Sequence, residues 1–168
     1  MNLLQDKKFL DRWMDLIYNF FKTTRNTDSD KLYYAAIQKL GQEASPKDEA
    51  PDEYGCVDSF EEVYKSAFGE YVGKKKTLST TIMYQTLLIH PKFQRIDNPE
   101  RGCVIISPTG HSIKANAIGH VGIFSDNCGT ILSNDSRSGL WLENFTWRSW
   151  NLYYKDKLGL PVYLFKRL

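Results

Sequence analysis

Apolar residues recur at helical spacing in the first part of the chain and at strand spacing in the last. Over residues 3–22, Leu3, Leu4, Phe9, Leu10, Trp13, Ile17, Phe20 and Phe21 are separated by Asp and Lys, which predicts an amphipathic helix. A second helix is expected from Asp30, as N-cap, through Leu32, Tyr33, Ala36, Ile37 and Leu40, with Gly41 as its stop. Residues 42–55 (QEASPKDEAPDEYG) hold two Pro, five acidic residues and almost nothing apolar, and read as loop. A third helix then opens at Cys56. Val57, Phe60, Val63, Tyr64, Ala67 and Phe68 mark one face of it, Asp58, Glu61 and Glu62 lie near its start, and it stops near Gly69 or Gly73. Residues 77–89 read as a shorter helix ended by His90-Pro91.

Past Pro99 the period changes. Residues 103–107 and 119–124 are expected strands, and residues 125–129 form a tight turn that returns residues 130–134 as a hairpin partner. A helical segment over residues 146–155 and a last strand over 161–165 complete the order. Helices followed by an antiparallel sheet give an α+β fold. A chain of 168 residues suits one domain, divided into an N-terminal helix (1–28) and a core (29–168).

The composition, 42% apolar and 25% charged with a mean hydropathy of −0.45, is that of a globular protein. Aromatic residues make up 14%, which serves core packing or an aromatic-lined groove. A net charge of +2 gives no footprint for nucleic acid, and Lys74-Lys75-Lys76 reads as a solvated loop. No run approaches the roughly 18 apolar residues of a membrane span. Charges at Asp6, Lys7, Lys8, Asp11, Arg12 and Asp15 interrupt any secretory leader, so synthesis in the cytoplasm is expected, with delivery by another route if the protein acts elsewhere. Cys56, Cys103 and Cys128 are odd in number and fit neither a disulfide framework nor a zinc pattern. No metal or organic cofactor is expected.

An odd, free cysteine at the start of a helix changes the picture. Backbone N–H groups at a helix N-terminus favour the thiolate, and Gly55 leaves room for a substrate carbonyl. The acidic residues that follow oppose ionisation, so an imidazole is needed. His120 is the histidine held within a strand, between Gly119 and Val121, whereas His90 and His111 fall at a helix end and in a loop. A base of this kind works best when a third group fixes its ring. Asn134, fourteen residues on and across the hairpin, is the expected orienter, with Ser133 and Asp135 as flanking positions and Asp135 in reserve. Tyr54, Gly55, Asp135, Trp141 and Trp147 are candidates for lining a substrate groove.

A Cys that opens a helix, then the strand Gly119-His120-Val121-Gly122-Ile123-Phe124, then a polar residue on the next strand, resembles the NlpC-type and CHAP-type papain-like cell-wall hydrolases. The stretches at 44–56, 118–123 and 132–136 are similar to phage and prophage lysins, and the resemblance covers residues 30–168. It implies a papain-like fold with Cys56 as nucleophile, His120 as base and Asn134 as orienter. It also implies the peptide part of peptidoglycan as substrate, for a phage lysin or an injected antibacterial effector. Where that family often has Asp-Cys this chain has Gly55-Cys56, and Gly102-Cys103 replaces a Gly-Asp, which leaves the bond cut open. The rival expectations are a cytoplasmic cysteine peptidase acting on protein and an inactive hydrolase fold kept as a binding or structural module.

Overall fold

Helix α1 (Asp28–Gln38) starts from a reciprocal cap. The Thr27 hydroxyl accepts from the Asp30 N–H, and the Asp30 carboxylate accepts in return from the Thr27 N–H. The N-cap is therefore Thr27, and Asp30, expected in that role, is its partner three residues on. The computed structural model describes residues 27–43, 55–112, 114, 116–125 and 129–168. The expected helix over residues 3–22, most of the acidic loop with Tyr54, and Cys128 lie outside them.

Helix α2 (Gly55–Phe68) buries Val57, Phe60, Val63 and Tyr64 completely and ends at Gly69, whose φ of 73° suits a residue without a side chain. Helix α3 (Thr80–Ile89) begins three residues later than its hydrophobic pattern suggested, because Ser79 caps it. Six strands follow: β1 (Phe93–Ile96), β2 (Val104–Ser107), β3 (His120–Phe124), β4 (Thr130–Asn134), β5 (Trp141–Thr146) and β6 (Tyr163–Arg167). They form one antiparallel sheet in the order β1-β6-β2-β3-β4-β5. Between β5 and β6, α4 (Trp147–Trp150) runs directly into a π-helical segment (Asn151–Lys157). The fold is α+β, as expected, with β1 and β5 added to the strands that periodicity revealed.

Both faces of the sheet are covered, so β2, β3 and most of β4 are buried along their length. On one face Val104, Ile106, Val121, Ile123 and Leu132 pack with α1, α2 and α3, and Trp141 and Cys56 belong to this cluster. On the other, Cys103, Ile105, Phe124, Ile131 and Leu164 pack with Trp150 and Tyr154. Among the described residues no helix is long and apolar enough to cross a membrane.

One buried acid on α2 makes a testable statement about this packing. Glu61 is fully buried and accepts the Val72 N–H at 3.0 Å, which holds the segment after α2 against the helix. Burial raises its carboxyl to about 7, against the pull of the Val72 and Thr77 backbone and the Lys76 charge, with Glu62 adding to the rise. Between pH ~4.5 and 7 the unfolded chain loses this proton and the folded chain keeps it, so stability falls as pH rises through that window. Glu61→Gln keeps an acceptor for Val72 without the charge. Its melting temperature relative to the parent is expected to climb between pH 5 and pH 8, by the equivalent of about 3 kcal/mol. Other groups that titrate in the window cancel in the difference, and a pH-independent difference would show that Glu61 titrates normally.

Candidate active site

The strands β3 and β4 are laddered only at Phe124↔Ile131 and Ile123↔Leu132. Beyond that pair, towards His120 and Asn134, a cavity of about 260 Å³ opens. Its wall includes Cys56 from α2, Gly119 and His120 from the start of β3, and Asn134 and Asp135 from the end of β4. Tyr153 and Tyr154 of the π-helical segment close the far side. The volume lies just below the ~300–1,000 Å³ typical of small-molecule pockets.

Cys56 and His120 reach this cavity from opposite faces of the sheet. Cys56 is in the cluster beneath α2, beside Val121, and the Val121 backbone N–H faces its sulfur. His120 points the other way, as strand alternation requires. Its ring stacks on Tyr154 with centroids 5.7 Å apart and planes 9° apart, and Trp150 and Phe145 lie at 5.4 and 5.8 Å. Trp150 is pinned in turn by its indole N–H, which donates to Ser107 Oγ at 3.0 Å.

Three neighbouring strands then fix the imidazole. His120 Nε2 lies 3.0 Å from Ser133 Oγ on β4, and Ser133 Oγ donates to Asn144 Oδ1 on β5 at 2.6 Å. A hydroxyl has one proton, and here it goes to Asn144. Ser133 therefore offers His120 a lone pair, and the ring carries its proton on Nε2. Nδ1, which makes no hydrogen bond among the described residues, keeps its lone pair as the basic atom. Asn144 reaches Ser133 through a bulge: Ile131 pairs with Phe145 but Leu132 pairs with Glu143, so Asn144 is the extra residue.

This corrects the expected orienter. Continuing the β3–β4 register sets Asn134 beside Val121, on the helix-covered face, where its Oδ1 accepts from Ser59 Oγ of α2 at 3.0 Å. A register one residue from that expected turns its side chain to the other face. Ser133 is the residue on His120, and Asn134 ties β4 to the helix that bears Cys56. Asp135 stands at the cavity wall without a hydrogen bond to the ring. Its Oδ1 closes its own turn by accepting from the N–H groups of Arg137 and Ser138 and from the Ser138 hydroxyl. Trp141, a candidate groove residue, is fully buried beneath the helices, a place its large apolar ring favours. Gly55 begins α2 and is buried, and Trp147 packs on Phe124, neither at the cavity wall. Tyr54 lies outside the described residues. Among these, no group of three His, Cys, Asp or Glu residues stands close enough to hold a metal ion.

Comparison of the sequence with known protein families and with curated proteins gives no match, so the site is read from its own geometry.

The electrostatics set the resting state. Burial pushes the Cys56 thiol up to about 12, although the N–H groups of Val121, Val57 and Cys56 itself oppose this. Burial also brings His120 down to about 4, against the opposing charge of Asp135. Both groups are neutral at pH 7: a thiol and a free base that share one cavity with no hydrogen bond between them, not a thiolate–imidazolium pair. Alkylation of Cys56 by iodoacetamide is accordingly expected to accelerate about tenfold per pH unit through pH 9 without a plateau. A plateau reached below pH 7 would reveal a preformed thiolate and overturn this assignment.

Proposed function

We propose that this protein is a cysteine-dependent amide hydrolase acting on the peptide part of peptidoglycan. The observation that carries the chemistry is the shared cavity, which receives Cys56 from one face of the sheet and His120, in a fixed tautomer, from the other. The substrate class is supported by the resemblance of the Cys56, His120 and β4 segments to NlpC-type and CHAP-type hydrolases, and with it the papain-like version of the α+β fold.

On this reading Cys56 Sγ adds to an amide carbonyl as its proton passes to His120 Nδ1, so thiolate and imidazolium form together during the attack. The tetrahedral oxyanion is met by N–H groups at the start of α2. Collapse expels the amine, which takes the proton from Nδ1 and leaves a thioester on Cys56. Water, activated by the same nitrogen, hydrolyses it. Ser133 and Asn144 hold the ring throughout, and Trp150 and Tyr154 keep it from turning. The apolar rim, with Ile118 and Tyr153 exposed, suits the flanks of a peptide.

The deciding experiment is digestion of purified cell walls of several chemotypes, with the released fragments analysed by mass spectrometry. Soluble fragments with one new amine and one new carboxyl per cut are expected, and their masses name the bond. No release from any chemotype would overturn the substrate class and favour a binding module. Equal release by protein whose Cys56 has been alkylated would remove the thiol from the mechanism.

A further inference from the structure

We propose that the Asn134 side chain is an oxyanion donor of this site. Its amide nitrogen would hold the oxygen that becomes negative when Cys56 adds to a carbonyl. The proposal rests on the reading of Cys56 as nucleophile and goes beyond it, since it gives Asn134 a role in the reaction other than orienting the base.

Four observations lead to it. Asn134 and Cys56 belong to the wall of the same cavity. Asn134 Oδ1 accepts from Ser59 Oγ at 3.0 Å in a buried contact, which fixes the amide with its oxygen on the helix and its nitrogen turned away. Ser59 stands three residues beyond Cys56 on α2, so this bond sets the amide against the first turn of the nucleophile's own helix. The amide nitrogen makes no hydrogen bond among the described residues, and it is not among the buried polar atoms left without a partner, so its donors are available to the cavity. Asn134 is only 4% exposed, which makes a donor there count for more than in water.

Two other polar groups of the wall suit this task less well. Asp135 is a carboxylate and repels an oxyanion. Asn144 is tied through Ser133 to the base, on the opposite face of the sheet from the sulfur. An oxyanion forms one bond from the carbon that Sγ attacks, so its donor must stand on the nucleophile's side.

The step balances without a co-reactant. The Sγ–C bond forms, the carbonyl π pair moves onto oxygen and is met by the Asn134 N–H, and the thiol proton goes to His120 Nδ1. When the carbonyl re-forms, the bond to the leaving group breaks and the oxygen releases its hydrogen bond.

The test compares two reactions of Cys56. Acylation by p-nitrophenyl acetate passes through an oxyanion; alkylation by iodoacetamide does not. In the parent protein one equivalent of p-nitrophenolate should appear in a burst. In Asn134→Leu the acylation rate constant is expected to fall about 10²–10³-fold, while alkylation changes by less than about twofold. Asn134→Asp, nearly the same shape and still an acceptor for Ser59, should slow acylation at least as much; its charge also slows alkylation, so the split is read from Asn134→Leu. Equal slowing of both reactions would mean that Asn134 acts only by holding α2 in place, and no slowing would mean that it has no part; either overturns the proposal. Failure of the parent itself to be acylated while iodoacetamide still reacts would overturn the nucleophile reading as well, a result distinct from the failure of Asn134 alone.

Discussion

Cell walls that the parent protein digests are expected to yield no soluble peptide to Cys56→Ala, a loss of at least ~10⁴-fold in turnover. On the proposed mechanism neither the hydroxyl nearest the base nor the other described thiol can take the place of the sulfur. The Ser133 hydroxyl is fully buried and committed between Asn144 and His120, and the Cys103 thiol is fully buried in the cluster on the other face. The substitution removes one small atom from the packing beneath α2, which costs about 1 kcal/mol and leaves the fold intact. Peptide release measured beside a melting curve separates the two effects. Equal release by both proteins would take Cys56 out of the chemistry and, with it, the meaning of the cavity.

Gly119→Ala is expected to cost stability and activity together, although residue 119 has no side chain to lose. A Cβ at this position would stand 2.0 Å from Ser107 O and 2.5 Å from Thr109 N, both backbone atoms that cannot swing aside. The Gly119 N–H also donates to Thr109 Oγ1 at 2.8 Å, and Thr109 is bound to Thr80 at the start of α3. The chain therefore enters β3 pressed into a pocket of backbone, and the next residue is His120. Relieving the overlap costs about 2–4 kcal/mol, a fall in melting temperature on the order of 10 °C for a chain of this size. It also moves the ring relative to Cys56, and a displacement of about 1 Å is worth roughly 10²-fold in rate. Thermal melts and peptide release on the same preparation test both parts. An unchanged melting temperature would show that the β2–β3 connection yields more easily than its contacts imply.

Helices α1 and α2 were legible because each carries its apolar residues at one face and its stop signal in sequence, as with Gly69 after α2; α3 was legible by its end at His90-Pro91, since Ile82, Leu88 and Ile89 are exposed beside the buried Met83, Tyr84 and Leu87. The strands β2, β3 and β4 were legible as apolar runs. Two strands were not. In β1 (Phe93–Ile96) Phe93 alone is buried, and in β5 (Trp141–Thr146) the bulge at Asn144 breaks the alternation that marks a strand. That bulge also concealed the residue that anchors Ser133. Cys56 and His120 could be singled out one at a time, by a helix start and by flanking glycines. Their common partner could not, because Asn134, Ser133 and Asp135 differ by single steps of register, and a step decides the face of the sheet. The aromatic enclosure of His120 comes from Trp150 and Tyr154, which a helical reading of residues 146–155 could have aligned as neighbours four apart but could not aim at a particular strand.

The placement of sulfur and imidazole on opposite faces of one sheet has a consequence for how such a site can be altered. The sheet is a partition: residues beneath α1–α3 govern the nucleophile, and residues beneath the π-helical segment govern the base. Exchanging Trp150, which lies behind the imidazole and outside the cavity wall, for a smaller side chain retunes the proton acceptor first, whereas Phe145 and Tyr154 share the cavity with the thiol and bear on both. Changes at Ser59 or Val57 bear first on the thiol. The two halves of the reaction can thus be approached from different sides of the sheet, and they meet only at the residues that line the shared cavity.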